Sequence, residues 1–303
     1  MGKYLLRRIL QMIPVVLGTT LLVYALVFAL PGDPVKAMFG DKPVNEAVAA
    51  QIRAEYHLDQ PFIVQYFIYL KNALTLNFGD TFAGQPVLDE IARAFPVTIR
   101  LGLMAFVFEA IGIVSGLKKG KWYDTVILIV SLLLISVPTF VTGFVMQYVF
   151  GIQWAILPVT AGADPGFIDL LMPAMVLGSV SMAYIIRLTR SEISSNIAED
   201  YVRTARAKGM SNGQVMLRHV LRNSLIPVVT YLGQDIGALM GGAMITEQIF
   251  NIHGIGFLTY QSILKGEANL VVSIVTLLML IFVVCNLVVD MLYAALDPRI
   301  RYA

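Results

Sequence analysis

Apolar runs of about 20 residues recur along this chain, and they fix its fold class before any motif is considered. A helix needs about 20 residues to cross about 30 Å of hydrocarbon, and a lone segment in lipid can satisfy its backbone polar groups only as a helix. Six runs meet that length, at 9–30, 97–117, 125–151, 170–188, 225–245 and 270–296. Pro14, Pro138 and Pro227 fall in or near the ends of these runs, where membrane helices accept prolines as kinks. Composition closes the soluble alternative: only 14% of the 303 residues are charged and 57% are hydrophobic, against about 25% charged in soluble proteins. The pattern predicts an all-α polytopic membrane protein with six transmembrane helices.

Lysine and arginine set the orientation. Lys3, Arg7 and Arg8, then Lys118, Lys119 and Lys121, then seven between Arg187 and Arg222, then Arg299 and Arg301 fall on one side, fifteen of the 22. Basic residues stay cytoplasmic, so both termini are expected inside. The first run follows Lys3, Arg7 and Arg8 like a signal peptide. It is longer than a secretory apolar core of about 7–15 residues and lacks a small-x-small cleavage site, so it reads as a retained helix. Residues 31–96 change character, with Pro31-Gly32-Asp33-Pro34, mixed charges and an amphipathic stretch through Leu70. They are expected to form a small extracytoplasmic domain. The predicted division is 1–30, the first helix; 31–96, that domain; and 97–303, a five-helix core.

Several chemistries find no residues to carry them. The phosphate-binding G-x-x-x-x-G-K-[ST] pattern does not occur, nor does a G-x-S-x-G elbow or an H-E-x-x-H helix. His57, His219 and His253 sit in three loops on both sides of the membrane, and Cys285 stands alone in an apolar run as an inert thiol. No catalytic residue, no metal site and no nucleic-acid partner is expected of the chain.

The most informative stretch lies between the fourth and fifth runs, near 189–224. Glu199-Asp200 opens a helical pattern, favourable beside a helix N-terminus. Tyr201-Val202-Arg203-Thr204-Ala205-Arg206-Ala207-Lys208-Gly209 follows, Gly209 reads as its stop, and a second helix is expected at 212–221. By composition alone the stretch is equally a solvated basic loop. However, this string, with Arg218-His219 and Arg222-Asn223 before Pro227, resembles the cytoplasmic "EAA" loop of ABC-importer permeases, in the B-type subunit of the oligopeptide/dipeptide branch. Pro31-Gly32-Asp33-Pro34, Gly79-Asp80, Pro96-x-Thr98 and Glu247-x-x-Phe250 with Gly254 and Gly256 extend the resemblance over the whole chain. The namesake glutamate of the loop falls at Arg203 and its first alanine at Thr204, and the usual Pro-Gly pair reads His253-Gly254.

The resemblance implies a type I ABC-importer permease fold in the bacterial cytoplasmic membrane. It implies a second homologous permease subunit, two cytoplasmic ATPase subunits that bind ATP and magnesium, and an extracytoplasmic solute-binding protein docking on 31–96 and 247–266. The solute expected is a dipeptide or oligopeptide, with nickel complexes and glutathione as alternatives of the same architecture. In such importers a short loop helix docks in a groove of the ATPase, which assigns Arg203, Thr204, Ala205, Arg206, Ala207, Lys208 and Gly209 to coupling. Ala205 and Gly209 are the expected close-contact positions.

In the fifth run Gly233, Gly237 and Gly241 recur every four residues, a ridge that lets helices approach. Packing is its simpler role; lining the translocation path is the other. Asp235 is the expected path residue, because charge at membrane depth faces a cavity or a partner. Glu247 lies near the end of the same helix. Glu109 is left between path lining and helix bridging, and Asp290 sits near the inner boundary. A secondary transporter driven by protons or sodium is the alternative of a different class. It would use Asp235 as a proton site but leaves the basic loop without a role.

Overall fold

The computed structural model describes residues 2–28, 35, 46–55, 57–81, 83–117, 126, 129–130, 132–133 and 135–296. The motif at 31–34, Lys118, Lys119, Lys121, Arg299 and Arg301 lie outside them, as does the start of the run at 125–151. Among the described residues the structure is helical: α1 (Gly2–Phe28), α2 (Glu46–Glu55), α3 (Phe62–Leu74), α4 (Val87–Gly116), α5 (Thr139–Met146), α6 (Phe167–Ile197), α7 (Asp200–Ala207), α8 (Asn212–Val215), α9 (Leu221–Ile249), α10 (Ile255–Lys265) and α11 (Ala268–Leu296). π-Helical turns follow α5 (Gln147–Gln153) and α8 (Met216–Val220).

Four helices are long and apolar enough to cross a membrane: Leu5–Phe28 within α1, then α4, α6 and Ala268–Met291 within α11. A fifth forms if Asn212–Gly241 and Ala243–Ile249, which meet at 48°, count as one span. The Gly241-Gly242 pair at that bend is a sequence that lets a helix kink. The chain is therefore an all-α polytopic membrane protein with four or five candidate spans among the described residues. The separate second loop helix expected at 212–221 does not stop there. Its helix runs on through the π-turn into α9, which continues past Pro227. Likewise α6 continues about two and a half turns beyond Leu188, to Ile197, as a largely polar extension.

The chain splits into two compact units, Gly2–Thr98 with His253–Val284, and Ile99–Ile252 with the residues from Cys285 onward. These units cross the divisions drawn at residues 30 and 96, because apolar contacts join segments remote in sequence. In the first unit Phe78, Val87, Ile91 and Ala94 share a core with Ile255, Leu270 and Ile274. Asn269 Nδ2 donates to the carbonyls of Phe78 (2.8 Å) and Asp80 (3.3 Å), which fixes the turn at Gly79, whose φ is +71°. The hydroxyl of Tyr66 donates to the Leu17 carbonyl at 2.9 Å, and that of Tyr69 bonds Thr276.

In the second unit the loop before α6 is held by side chains. Arg100 donates to the carbonyl of Pro165 (3.2 Å) and approaches Asp164 Oδ1 (3.4 Å). Gln147, buried in the π-turn, donates from Nε2 to the carbonyls of Val159 (2.9 Å) and Ile249 (3.0 Å). The Ala161 N–H donates to the carbonyl of Phe250, whose ring is fully buried.

Candidate coupling surface and intramembrane cavity

Local chemistry forms α7. Asp200 in its first turn and Arg206 in its last complement the helix dipole, and Gly209, at φ +80°, supplies the left-handed residue that ends it. A capping box starts α8, with the Gln214 N–H donating to Ser211 Oγ (3.4 Å) and the Ser211 N–H to Gln214 Oε1 (3.2 Å). An eight-residue helix is too short to hold its shape alone. Here Val202 and Ala205 enter a core with Ile193, Val215 and Val220, and the Tyr201 hydroxyl donates to Asn196 Oδ1 at 2.7 Å.

That core sorts the loop residues. Arg203, Thr204, Arg206, Ala207, Lys208 and Gly209 are exposed. Ala205, an expected close-contact position, is only 5% exposed and faces its own chain. The outward small residues are Ala207 and Gly209. The signal was present in the sequence: Val202 and Ala205 are the apolar i, i+3 pair of an otherwise polar helix. Arg203 pairs with Asp200 at 3.4 Å, both exposed, an ion pair of small energetic weight.

The glycines of α9 do not form one seam. A Cβ on Gly233 would lie 2.5 Å from Val289 Cγ2, a close packing contact, whereas one on Gly241 would meet nothing within 4 Å. Gly237 is half-buried. Close helix approach occurs instead between α4 and α6. A Cβ on Gly112 would lie 2.9 Å from the Met182 carbonyl, one on Gly116 2.8 Å from Thr189 Cβ, and one on Gly178 2.8 Å from the Ala105 carbonyl. Gly112-Ile113-Val114-Ser115-Gly116 is a G-x-x-x-G sequence, the spacing that could have revealed it.

Asp235 lines a cavity of about 240 Å³ with Thr139, Leu177, Ser181, Ala238, Leu239 and Ile245. Behind the wall stands Glu109, fully buried, whose polar neighbours are Asp235 and Ser181. Gly178 clears the way for it, since a Cβ there would lie 3.3 Å from Glu109 Cγ. Among the described residues, neither carboxyl oxygen of Glu109 nor Oδ2 of Asp235 has a hydrogen-bond partner. One turn before Asp235, Tyr231 packs on Tyr184 with ring centroids 4.4 Å apart. Ser181 and the tyrosine pair carried no sequence signal, because nothing in linear spacing links α6 to α9. Glu247 is fully buried, and its carbonyl accepts the Ile252 N–H at 2.8 Å.

Residues 110–302 match the family described as binding-protein-dependent transport system inner membrane component, and residues 1–102 match the N-terminal component of the same system. Over 308 aligned residues, covering all of both chains, the sequence is 37% identical to the glutathione transport system permease protein GsiC of Salmonella choleraesuis strain SC-B67. It is 36% identical, at the same coverage, to GsiC of Escherichia coli strain K12. The fold is similar to that in the crystal structure of an amino acid ABC transporter with histidines, with a TM-score of 0.53, 12% identity, and 69% of this chain and 93% of that one covered.

Proposed function

The chain belongs to the family of binding-protein-dependent transport system inner membrane components, and on that premise we propose that it is one permease half of an importer for glutathione or a closely similar small peptide. Family membership carries the coarser statements. The chain is a non-catalytic, multi-pass subunit of an ABC importer in a bacterial inner membrane, working with ATPase and solute-binding components. The solute follows the name of its full-length relatives. Glutathione is a tripeptide, so this reading narrows the peptide class expected from the sequence and takes up one of its alternatives.

In this proposal the chain crosses six times with both termini cytoplasmic, in keeping with the fifteen basic residues on one side. A second permease subunit completes the path, and the solute-binding protein delivers at the 31–96 and 247–266 segments. Two ATPases drive the motion through α7. The observation that supports this role is the division of α7 into a rooted face, Val202 and Ala205, and an outward face of Arg203, Thr204, Arg206, Ala207 and Lys208. A helix buttressed by its own core transmits a push, and its cations suit a carboxylate-bearing groove. Asp235 lines the path, supported by the cavity it faces.

Reconstitution of the chain with its partner permease, ATPases and binding protein in liposomes tests the reading. ATP-dependent accumulation of glutathione, lost when the binding protein is omitted, is the expected result. Uptake that proceeds without ATP and follows an ion gradient overturns it in favour of a secondary transporter.

A further inference from the structure

Among the described residues, two acidic side chains within the candidate spans, Glu109 and Asp235, have no ion-pair partner beside them. Glu109 is fully buried and both of its carboxyl oxygens lack hydrogen bonds among the described residues. Its polar neighbours, Asp235 and Ser181, both line the adjoining cavity. Among the described residues, the polar groups beside this pair are Ser181 of α6 and Tyr231 of α9, with Tyr184 of α6 against Tyr231 and, across the cavity, Thr139 of α5. None of these carries positive charge. Carboxyls at membrane depth without a counter-charge are costly, and such groups mark solute or ion pathways. We propose that Glu109, Asp235 and the Tyr184–Tyr231 pair form a membrane-embedded site for the primary ammonium group of the transported peptide.

The chemistry of the site selects that group. An ammonium offers three N–H donors to carboxylate acceptors, and tyrosine ring faces attract cations. Ser181 adds a hydroxyl that accepts or donates. A cavity of about 240 Å³ is smaller than the roughly 300–1,000 Å³ pockets that enclose whole drug-sized ligands, so it takes the amino end of a peptide and leaves the rest in the path. Tyr184 is 44% exposed and its outer side lines a separate cavity with Arg187 and Arg190, so an ammonium is favoured only on the side of the tyrosine pair that faces Asp235.

A phosphatidylethanolamine headgroup carries the same primary ammonium. Position favours the solute: Asp235 is the central residue of Leu221–Ile249, about 21 Å of helix from either end at about 1.5 Å per residue, whereas lipid headgroups lie at the membrane faces. The proposal rests on the importer reading above, since it makes Asp235 part of the path.

The test is protection of Asp235 and Glu109 from dicyclohexylcarbodiimide, read by peptide mass spectrometry on the complete importer in phosphatidylcholine nanodiscs. Glutathione is expected to protect at a concentration about tenfold lower than N-acetylglutathione, the loss of one charge-assisted contact, and n-propylammonium is expected to protect as well. Equal protection by the free and acetylated peptides, or protection by none of the three, overturns the site. Including phosphatidylethanolamine without peptide should leave labelling unchanged; full protection by the lipid assigns the pocket to a headgroup and overturns the solute assignment. Asp235→Asn is expected to lower uptake from saturating glutathione-loaded binding protein about tenfold, and unchanged uptake counts against the proposal. The two readings fail separately. An importer that takes up no glutathione while n-propylammonium still protects defeats the glutathione reading alone. Uptake of glutathione with amine-independent labelling defeats the site alone.

Discussion

The side-chain oxygen of Thr98 accepts the backbone N–H of Ile255 at 2.7 Å, inside a fully buried environment. Ile255 is the first residue of α10, and the residue before it, Gly254, has no side chain with which to cap the helix. Thr98 therefore supplies from α4 the acceptor that helix N-termini ordinarily draw from their own cap. This gives the Pro96-x-Thr98 motif a structural task. Thr98→Val keeps the shape and removes the acceptor, leaving a buried N–H unpaired. The expected cost is about 1–3 kcal/mol, seen as a lowered midpoint in thermal unfolding of the purified chain, while Thr98→Ser retains most of the stability.

The two alanines of α7 should behave oppositely. Ala205 sits in the core with Val202, Val215 and Val220, so Ala205→Leu overpacks it by about 1–3 kcal/mol and lowers the melting temperature. Ala207 is exposed. Ala207→Leu is expected to leave melting unchanged and to reduce ATP-driven uptake in the assembled importer, through bulk at the proposed docking surface. Equal uptake by Ala207→Leu and wild type would remove α7 from the coupling role.

Glycine substitutions separate the real seam from the apparent one. Gly178→Ala drives a Cβ to within 2.8 Å of a backbone carbonyl, which cannot swing aside, and a loss of about 1–3 kcal/mol is expected. Gly241→Ala meets no atom within 4 Å, and its stability should stay within about 0.5 kcal/mol of wild type. Thermal melts of the two variants in one detergent decide the matter.

Glu267, in the turn between α10 and α11, carries a pH dependence. Burial raises its pKa, with Lys265 lowering it and Glu90 raising it further, and the net direction is upward. Its Oε2 is buried without a hydrogen-bond partner among the described residues. A raised folded-state pKa means that the folded chain holds the proton more tightly. The contribution is fully present below the ordinary glutamate value of 4.5 and is lost as pH rises through the folded value. Glu267→Gln should therefore be more thermostable than wild type at pH 7 and 8, with the difference shrinking toward pH 4. A melting difference that is constant across that range would refute this account.

Much of this protein is a consequence of linear pattern. Run length against bilayer thickness dictates membrane-crossing helices, the placement of lysine and arginine sets the expected orientation, and Gly209 marks the end of α7, because each depends on residues close together in the chain. What depended on remote contacts was decided only in three dimensions. A helix pattern shows that Ala205 has an apolar neighbour at Val202, but not that the core of Ile193, Val215 and Val220 would close over it. Four-residue glycine spacing occurs on both α4 and α9, and only the positions of Met182, Thr189 and Val289 decide which glycines are pressed against a neighbour. Glu109 and Asp235 are 126 positions apart in the numbering. Their meeting beside Ser181 follows from how α4, α6 and α9 pack, since side-chain chemistry is local but the partner it finds is set by tertiary geometry.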